Sequence, residues 1–464
     1  MSIQDLALAF KTITAKQIPY TMLFNYYDGD QPLVYTANRL KEVFKDLDAY
    51  FAENWCSVVV DSARDRVNLR EIQVSGGGQT RWKEIWEASE ISLESDDVHE
   101  AALVAGEGYF IAWPDEDGVM QGYHNDPRLI HLFYEQSEPR KKKFAAKMWT
   151  SDDERLNMTL YYVDHLEYYK TQNKASNVSD VKSFLPGKEA AAENPFGEVP
   201  VFHYRLGQRK VKSDLKNVIP IQNGINKLLT DMMVTAEFMA FPQRYVISNA
   251  EVQGKLRVSP KEIWDLPAGD GTGQQTQTGQ FEAAKLENYL NSIDNLATAL
   301  GSITRTPKHY FFSVGSNLSG EALIAMEAPL NKKAQDRVDR FAPVWKQVAL
   351  FMLKASGETV QPADVMPIFD KPETIQPRTE AETRQLNVNA GLPLVTVLRD
   401  EGKSQAYIDK MLKDMEEQDG RKQTSLASSL LNAERRFNAQ GGAGQETSAQ
   451  QSSQQSAQQE VQQL

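Results

Sequence analysis

The chain has 464 residues, is 41% hydrophobic, and carries 51 Lys and Arg against 63 Asp and Glu, a formal net charge of −12. That length supports a sizeable core and roughly two to four domains. The charge balance excludes tight general nucleic-acid binding, which needs clustered Lys and Arg to neutralise phosphates. The single cysteine, Cys56, excludes an intrachain disulfide framework.

No apolar run approaches membrane-span length, so no membrane is expected. Met1-Ser2-Ile3-Gln4-Asp5 lacks the charged start and apolar core of a signal peptide, so synthesis in the cytoplasm is expected. From Met1 to about Asn217 the pattern mixes α and β. A short helix over Ile3–Ile13 leads to Tyr26-Tyr27-Asp28-Gly29-Asp30-Gln31-Pro32-Leu33, a turn-rich polar stretch. An amphipathic segment follows, with Leu40, Val43, Phe44 and Leu47 on one face. Trp55–Leu69 predicts a helix with Val59, Ala63 and Val67 inward, although the run Val58-Val59-Val60 also suits a strand. Cys56 is read there as a small core residue.

Gly76-Gly77-Gly78 reads as a loop, because a phosphate cradle would need the distal Gly-Lys-Ser/Thr that is absent. Next come a helix through Trp82, Ile85 and Trp86 and another from Asp96 to about Ala105, capped by acids. Tyr109–Trp113 is a strand, Pro114–Gly118 a turn, and Val119–His124 the return. Asp115, Glu116 and Asp117 in that turn fit a hairpin's backbone angles, or a Ca²⁺ or Mg²⁺ site. Further strands are predicted at Leu129–Tyr134, Lys143–Trp149 and Met158–Tyr169, with linkers at Asn173–Ser179 and Pro186–Pro195. The densest basic run, Arg140-Lys141-Lys142-Lys143, is a solvated hairpin edge or a DNA contact.

Pro220–Phe241 spaces Ile221, Ile225, Leu228, Leu229, Met232, Met233, Ala236 and Ala240 as one buried helical stripe. Its other side carries Asn223, Asn226, Lys227, Thr230, Asp231 and Glu237 and expects water or a polar partner. Leu286–Thr304 repeats the pattern, so the two predict an antiparallel pair. Between them, Pro242–Lys285 holds short strand-like runs and a polar tip, as in a stalk with a docking end. Thr306–Gly320 is a loop with three consecutive aromatics. Glu321–Lys354 is a long helical pattern, roughly 50 Å if continuous, that Pro329 and Pro343 should kink or break. Pro362, Pro367, Pro372 and Pro377 mark an extended crossing. Helices are predicted over Glu380–Lys413, broken at Gly391-Leu392-Pro393, and over Thr424–Arg436. From Gln440 the composition predicts disorder.

Familiar chemistry is absent from the pattern. The six histidines have no pair at metal-ligand spacing, and Leu103 stands where His99-Glu100 would need a second zinc ligand. There is no Gly-x-Ser-x-Gly elbow and no dinucleotide fingerprint. Gly402-Lys403-Ser404 has the tail of a Walker A motif, but Val397 occupies the place of its first glycine. No catalytic residue, cofactor or metal is expected.

The ordered set of Tyr26–Leu33, Asn54–Asp61, Gly106–Asp115, Asn194–Pro200, Phe241-Pro242-Gln243-Arg244 and the run Ile303–Pro307 to Ser319–Leu323 resembles the portal proteins of tailed bacteriophages, in the long-tailed branch. The resemblance covers roughly residues 20–355. It implies an α+β, predominantly α, portal fold, divided as a wing (1–218), a first stem helix (219–242), a clip (243–285), a second stem helix (286–304), a tunnel loop (305–320), a long kinked helix (321–356), a crown (357–439) and a tail (440–464). It further implies a ring, usually of twelve subunits, at one capsid vertex of the virion. Double-stranded DNA would pass through it during packaging and ejection. The partners implied are the large terminase (the packaging ATPase), a head-completion adaptor, and the major capsid and scaffolding proteins.

On that resemblance, Arg305, Lys308, His309, Tyr310, Asn317 and Ser319 belong to the tunnel loop, and Asn223, Lys227, Asp231, Glu237 and Asp294 to the stem lumen. Trp264, Asp265, Asp270, Gln274 and Gln277 belong to the docking clip. In a ring every lumen carboxylate becomes a belt that repels phosphates and lets DNA slide. Two other readings stay open: a different minor virion protein, and a metal-dependent hydrolase built on Asp115, Glu116 and Asp117.

Overall fold

The computed structural model describes residues 3–32, 52–178, 180–207, 210–239, 244–247, 277–280, 282, 285–312, 319–373, 377–401, 403, 407–421 and 431. Helix and antiparallel sheet are mixed, in two compact units, 1–376 and 377–464.

Helix α1 (Ile3–Asp28) is twice the length the pattern suggests. It passes through Pro19, and ends where Gly29 turns the chain at φ +89°. Tyr26 and Tyr27, expected in a turn, are therefore helical. The inward residues Leu6, Ala9 and Ile13 pack on one antiparallel sheet of order β4-β5-β6-β7-β8, against Phe144, Met148, Met158 and Leu160. Its strands are β4 (Ile130–Tyr134), β5 (Lys142–Thr150), β6 (Arg155–Tyr161), β7 (His165–Lys174) and β8 (Phe184–Glu193). Two expectations change here. Met158–Tyr169 is two strands with a turn between, and Pro186–Glu193 is a strand rather than a linker. The edge position of β8 accommodates Pro186, which has no N–H to donate to a central ladder. Lys142, expected on a solvated edge, turns inward instead. It donates to the Val199 carbonyl (3.1 Å) over the Phe202 ring, and burial lowers its pKa to about 8.

The larger core lies between α2 (Trp55–Arg64), α4 (Ile91–Ala105), the sheet β3-β2-β9 and the long helix α7 (Gly320–Ala355). The strands are β2 (Glu107–Pro114), β3 (Met120–Asn125) and β9 (Val201–Arg205). Helix α3 (Gln79–Ala88) follows Gly78, whose φ of +85° makes the start that the triple glycine allows. Helix α4 starts earlier than expected, after Glu90 at φ +44°, and has no side-chain cap. At Gly122 a Cβ would stand 2.3 Å from Phe110 Cζ, so the hairpin passes directly over that ring.

Helix α7 runs unbroken through Pro329 and Pro343, about 54 Å of axis. Its inward residues Leu330, Ala334, Phe341, Trp345, Val348 and Met352 keep helical spacing across both prolines, so tertiary burial outweighs the lost backbone bonds. Trp345 is fully buried; its Nε1–H donates to His99 Nε2 (2.9 Å), and its ring meets Phe110 and Tyr204 at 5.2 and 5.1 Å. After α7 the chain does not simply cross over. Strand β12 (Val365–Phe369) pairs with β1 (Leu69–Val74), in register Val74↔Val365, so 357–376 belongs to the first unit.

The second unit holds α8 (Pro377–Asn389) and α9 (Leu394–Asp400), separated at Gly391 (φ +93°), and a helix over 407–421. Arg384 binds both oxygens of Glu401. The amphipathic segment with Leu40 and Phe44, nearly all of the Thr424–Arg436 helix and the tail from Gln440 lie outside the described residues.

Candidate functional site

Helices α5 (Ile219–Met239) and α6 (Glu287–Thr304) pack side by side, with Gly224 against Leu296 and the hydroxyls of Thr235 and Tyr289 3.2 Å apart. Between their sequences lies a hairpin of β10 (Arg244–Ile247) and β11 (Gln277–Gln280). Ile225, Ile293, Ala297 and Leu300 join the main core, which roots both helices in the first unit.

The polar side of α5 divides in two. Its first turns face the chain's own amino-terminal segment. Tyr26 donates to Asn223 Oδ1 (2.8 Å), and Gln222 donates to the Glu53 carbonyl (2.6 Å) and Asn226 Oδ1 (2.9 Å). Asn226 donates to Gln31 (2.6 Å), and the Trp55 amide donates to Gln222 Oε1 (2.9 Å). Gln222 and Asn226 are buried, so their polar partner is this chain rather than water. Asn223 is likewise committed internally. Further along, Lys227 and Asp231 form an i,i+4 ion pair. Glu237 lies on the helix, its side chain outside the described residues.

On α6 the exposed hydroxyls of Ser292, Thr298 and Ser302 each donate to the carbonyl four residues back, at 2.8–2.9 Å. Each then offers only lone pairs outward. Asp294 is paired with Lys308, which folds back from beyond the helix end (2.7 Å).

The helix stops at Arg305, in the left-handed region at φ +61°. Gly301 permits the turn: a Cβ there would stand 2.8 Å from the Thr306 carbonyl oxygen. The following segment is held down rather than free. Phe311 and Phe312 pack on Trp55, with ring centroids at 5.4 and 5.2 Å. Arg66 donates to the Tyr310 hydroxyl (2.8 Å) and to Asn331 (3.0 Å), and His309 stands 3.8 Å from Glu327. Ser319 accepts from the Ala322 amide (3.2 Å) as the cap of α7. Thus the structure gathers Asp294 with Lys308 and ties Tyr310 to the core, and it leaves Arg305 exposed. Asn317, Trp264, Asp265, Asp270 and Gln274 lie outside the described residues, whereas Gln277 is exposed at the start of β11.

Sequence spacing missed one constellation. Glu107, 1% exposed, accepts from Lys16 (3.0 Å), Tyr20 (2.9 Å) and His203 Nε2 (3.0 Å), and His203 Nδ1 accepts from Tyr134 (3.2 Å). Lys16 also meets His131 Nδ1 at 3.4 Å. Burial alone would raise the Glu107 pKa, but the His203 bond and the Lys16 charge hold it far below the usual carboxylate range. Burial pushes His131 down to about 3. The partners come from α1, β2, β4 and β9, elements far apart in sequence, and no regular spacing signals them. Three donors from within the chain hold the buried Glu107 carboxylate, which describes a buttress under α1. The Asp115–Asp117 turn is similarly self-contained: Asp115 accepts from the amides of Asp117 (3.1 Å) and Val119 (2.8 Å) and from Gln121 (3.2 Å). Among the described residues no group of three or more His, Cys, Asp or Glu is arranged to hold a metal, and no helix is long and apolar enough to cross a membrane.

The family model "Phage portal protein, SPP1 Gp6-like" matches residues 11–399. This chain belongs to that portal family. Its relatives include the portal protein of Mycobacterium phage L5, 27% identical over 315 residues that span 62% of this chain and 61% of that protein. The portal protein of Mycobacterium phage D29 is 26% identical over 166 residues, 32% of this chain and 31% of that one. The portal-family chain thus spans at most about three-fifths of these relatives' lengths. A looser overall likeness, TM-score 0.42 at 11% identity, covers 77% of this chain and 90% of a chain from the neck of an empty GTA particle.

Proposed function

We propose that this chain is the subunit of a portal ring at one vertex of a phage capsid, through which double-stranded DNA enters and leaves the head. The observation that carries the reading is the family match through residues 11–399, together with two packed helices that bracket in sequence the antiparallel strands β10 and β11. In this reading α5 and α6 are the stem that lines the channel, 243–285 is the clip, 305–320 is the tunnel loop, and 1–218 with α7 forms the wing. We take the crown to begin at Pro377 rather than 357; the pairing of β12 with β1 in the first unit supports that choice.

The exposed chemistry of the stem suits sliding. A phosphodiester has acceptors only, and hydroxyls whose protons are already donated within α6 offer it none. The cations Lys227 and Lys308 each lie against a carboxylate, which weakens any hold on phosphate. Asp231 and Asp294 thus offset those two cations, and Glu237, multiplied around a ring, adds negative charge that repels the backbone. The role is mechanical and needs no catalytic group. The terminase motor and later an adaptor dock at the clip, with Gln277 among the docking residues, and capsid and scaffolding proteins surround the wing.

Light scattering with negative-stain imaging of the purified chain tests this. Twelve copies of 52.3 kDa give a particle of about 628 kDa with a central hole. A monomer or dimer that stays so when mixed with its capsid and scaffolding proteins overturns it.

A further inference from the structure

The first unit carries an unbalanced basic cleft. Its volume is about 470 Å³, and it lies between the end of α6, the segment 212–217 and the middle of α7. Six cations line it, Lys212, Arg305, Lys332, Lys333, Arg337 and Arg340, against two carboxylates, Asp214 and Asp336. The deep charges are matched by Asp214, which holds Lys333 (3.1 Å) and Arg337 (2.9 Å), and nearer the surface Asp336 holds Arg340 (3.0 Å). Arg337 still keeps a buried Nε without a partner. At the mouth, Lys212, Arg305 and Lys332 are exposed and have no carboxylate among the described residues. Beside them Ile303 lines the cleft at 53% exposure.

The complement sits at the other end of α4. Glu90, Leu93, Asp96 and Asp97 share one face of that helix, at spacings of three and four. Leu93 is 64% exposed, and among the described residues no Lys or Arg stands within ion-pair distance of the three acids, the nearby Arg64, whose charge reaches Asp96, being paired with Glu100. Burial, then repulsion from Asp97 and Glu90, raises the pKa of the adjacent Glu94. The carboxyl-terminal end of α4 adjoins the cleft, where Ser213 donates to the Val104 carbonyl (2.5 Å). Leu93 is eleven residues away, about 16 Å along the axis, too far for these acids to serve their own cleft. Acids at a helix start and cations at its end also offset the helix dipole, but that effect falls off within one turn and requires no exposed leucine.

We propose that the acidic Leu93 face of one copy docks in the basic Ile303 cleft of the next. Such a contact joins two different patches, so it is heterologous and propagates around a closed ring. Leu93 and Ile303 supply the apolar centre and the charges the rim and the register. A cleft of this size admits side-chain carboxylates and excludes a duplex. The inference rests on the ring reading above, and the test separates the two.

The experiment compares assembly of the full-length wild type, Lys212→Glu/Lys332→Glu, Asp96→Lys/Asp97→Lys and the four-fold combination, by light scattering over a concentration series. The wild-type ring tests the portal reading. Given that ring, each double reversal should lower the assembled fraction at least about tenfold, and the combination should restore it to within about twofold. The neutral pair Lys332→Gln and Asp97→Asn, which reverses no charge, should each move assembly to higher protein concentration. The inference is overturned if both reversals assemble like wild type, or if the combination fails to rescue while keeping the wild-type unfolding midpoint. A cleft that instead serves phosphodiesters would leave all variants assembled and reduce only retention of a short duplex by the Lys212→Glu/Lys332→Glu ring.

Discussion

Lys308 Nζ lies 2.7 and 2.8 Å from the two carboxylate oxygens of Asp294, fourteen residues earlier on α6. The pair ties the segment after Arg305 back onto α6 and offsets the Lys308 charge, which the proposed portal reading sets beside DNA. Both side chains are partly exposed, so the pair stabilises the fold by less than about 1 kcal/mol. Asp294→Asn should therefore leave the unfolding midpoint nearly unchanged but release Lys308. Retention of a short duplex by the assembled ring should rise. The slope of log affinity against log salt should steepen by about 0.9 for each new phosphate contact. Unchanged retention would show that Lys308 does not reach the DNA.

Acid should destabilise the first unit. Burial holds His99 and His131 at pKa values of about 3, against 6.5 for the free side chain. Between those values the unfolded chain binds the protons, so stability is full above about pH 6.5 and falls as pH drops toward 3. Each histidine contributes about 1.4 kcal/mol per pH unit in that window. Glu107, whose folded pKa is depressed, loses its contribution at the acid end in the same direction. Urea midpoints from pH 7.5 to 4.5 measure the slope, and His131→Gln should flatten it.

Trp345→Phe should cost more than its small loss of volume suggests. It removes the donor to His99 Nε2 and opens space beside Phe110 and Tyr204. A loss of about 2 kcal/mol is expected, and about 3–5 kcal/mol for Trp345→Ala, in chemical unfolding of the purified chain.

Asn226→Ala should loosen the root of α5. It removes the Asn226 donor to Gln31 Oε1 and the acceptor of the Glu53 amide, a cost of about 1–3 kcal/mol. Asn223→Ala, which loses one half-buried bond from Tyr26, should cost about 1 kcal/mol or less. Equal effects would contradict the buried network.

Gly301→Ala should disturb the turn into 306–312, because the added Cβ stands 2.8 Å from a backbone oxygen that cannot swing away. The expected readout is higher amide exchange across 308–312, where Phe311 and Phe312 leave Trp55, with the rest of the unit unchanged.

Local pattern was enough for the helices at 55–64, 79–88, 219–239 and 287–304, because one apolar stripe at helical spacing dictates each. It was enough for the β2-β3 hairpin as well, where Asp and Gly set the turn. The ordered motifs also carried the family. Other features depended on distant partners. Residues 14–28 continue as helix because the Glu107 cluster holds Lys16 and Tyr20 and the larger core receives Tyr26 with Leu23, Phe24 and Tyr27. Pro329 and Pro343 stay helical because Trp345 and its neighbours are buried on both sides of them. Strand β12 exists because β1 offers it an edge some 290 residues earlier in the chain. The polar face of α5 was legible as polar, but which members face inward was not. A hydrogen-bond partner such as Gln31 for Asn226, or Asp294 for Lys308, is chosen by the meeting of elements in space, and no local periodicity encodes that meeting.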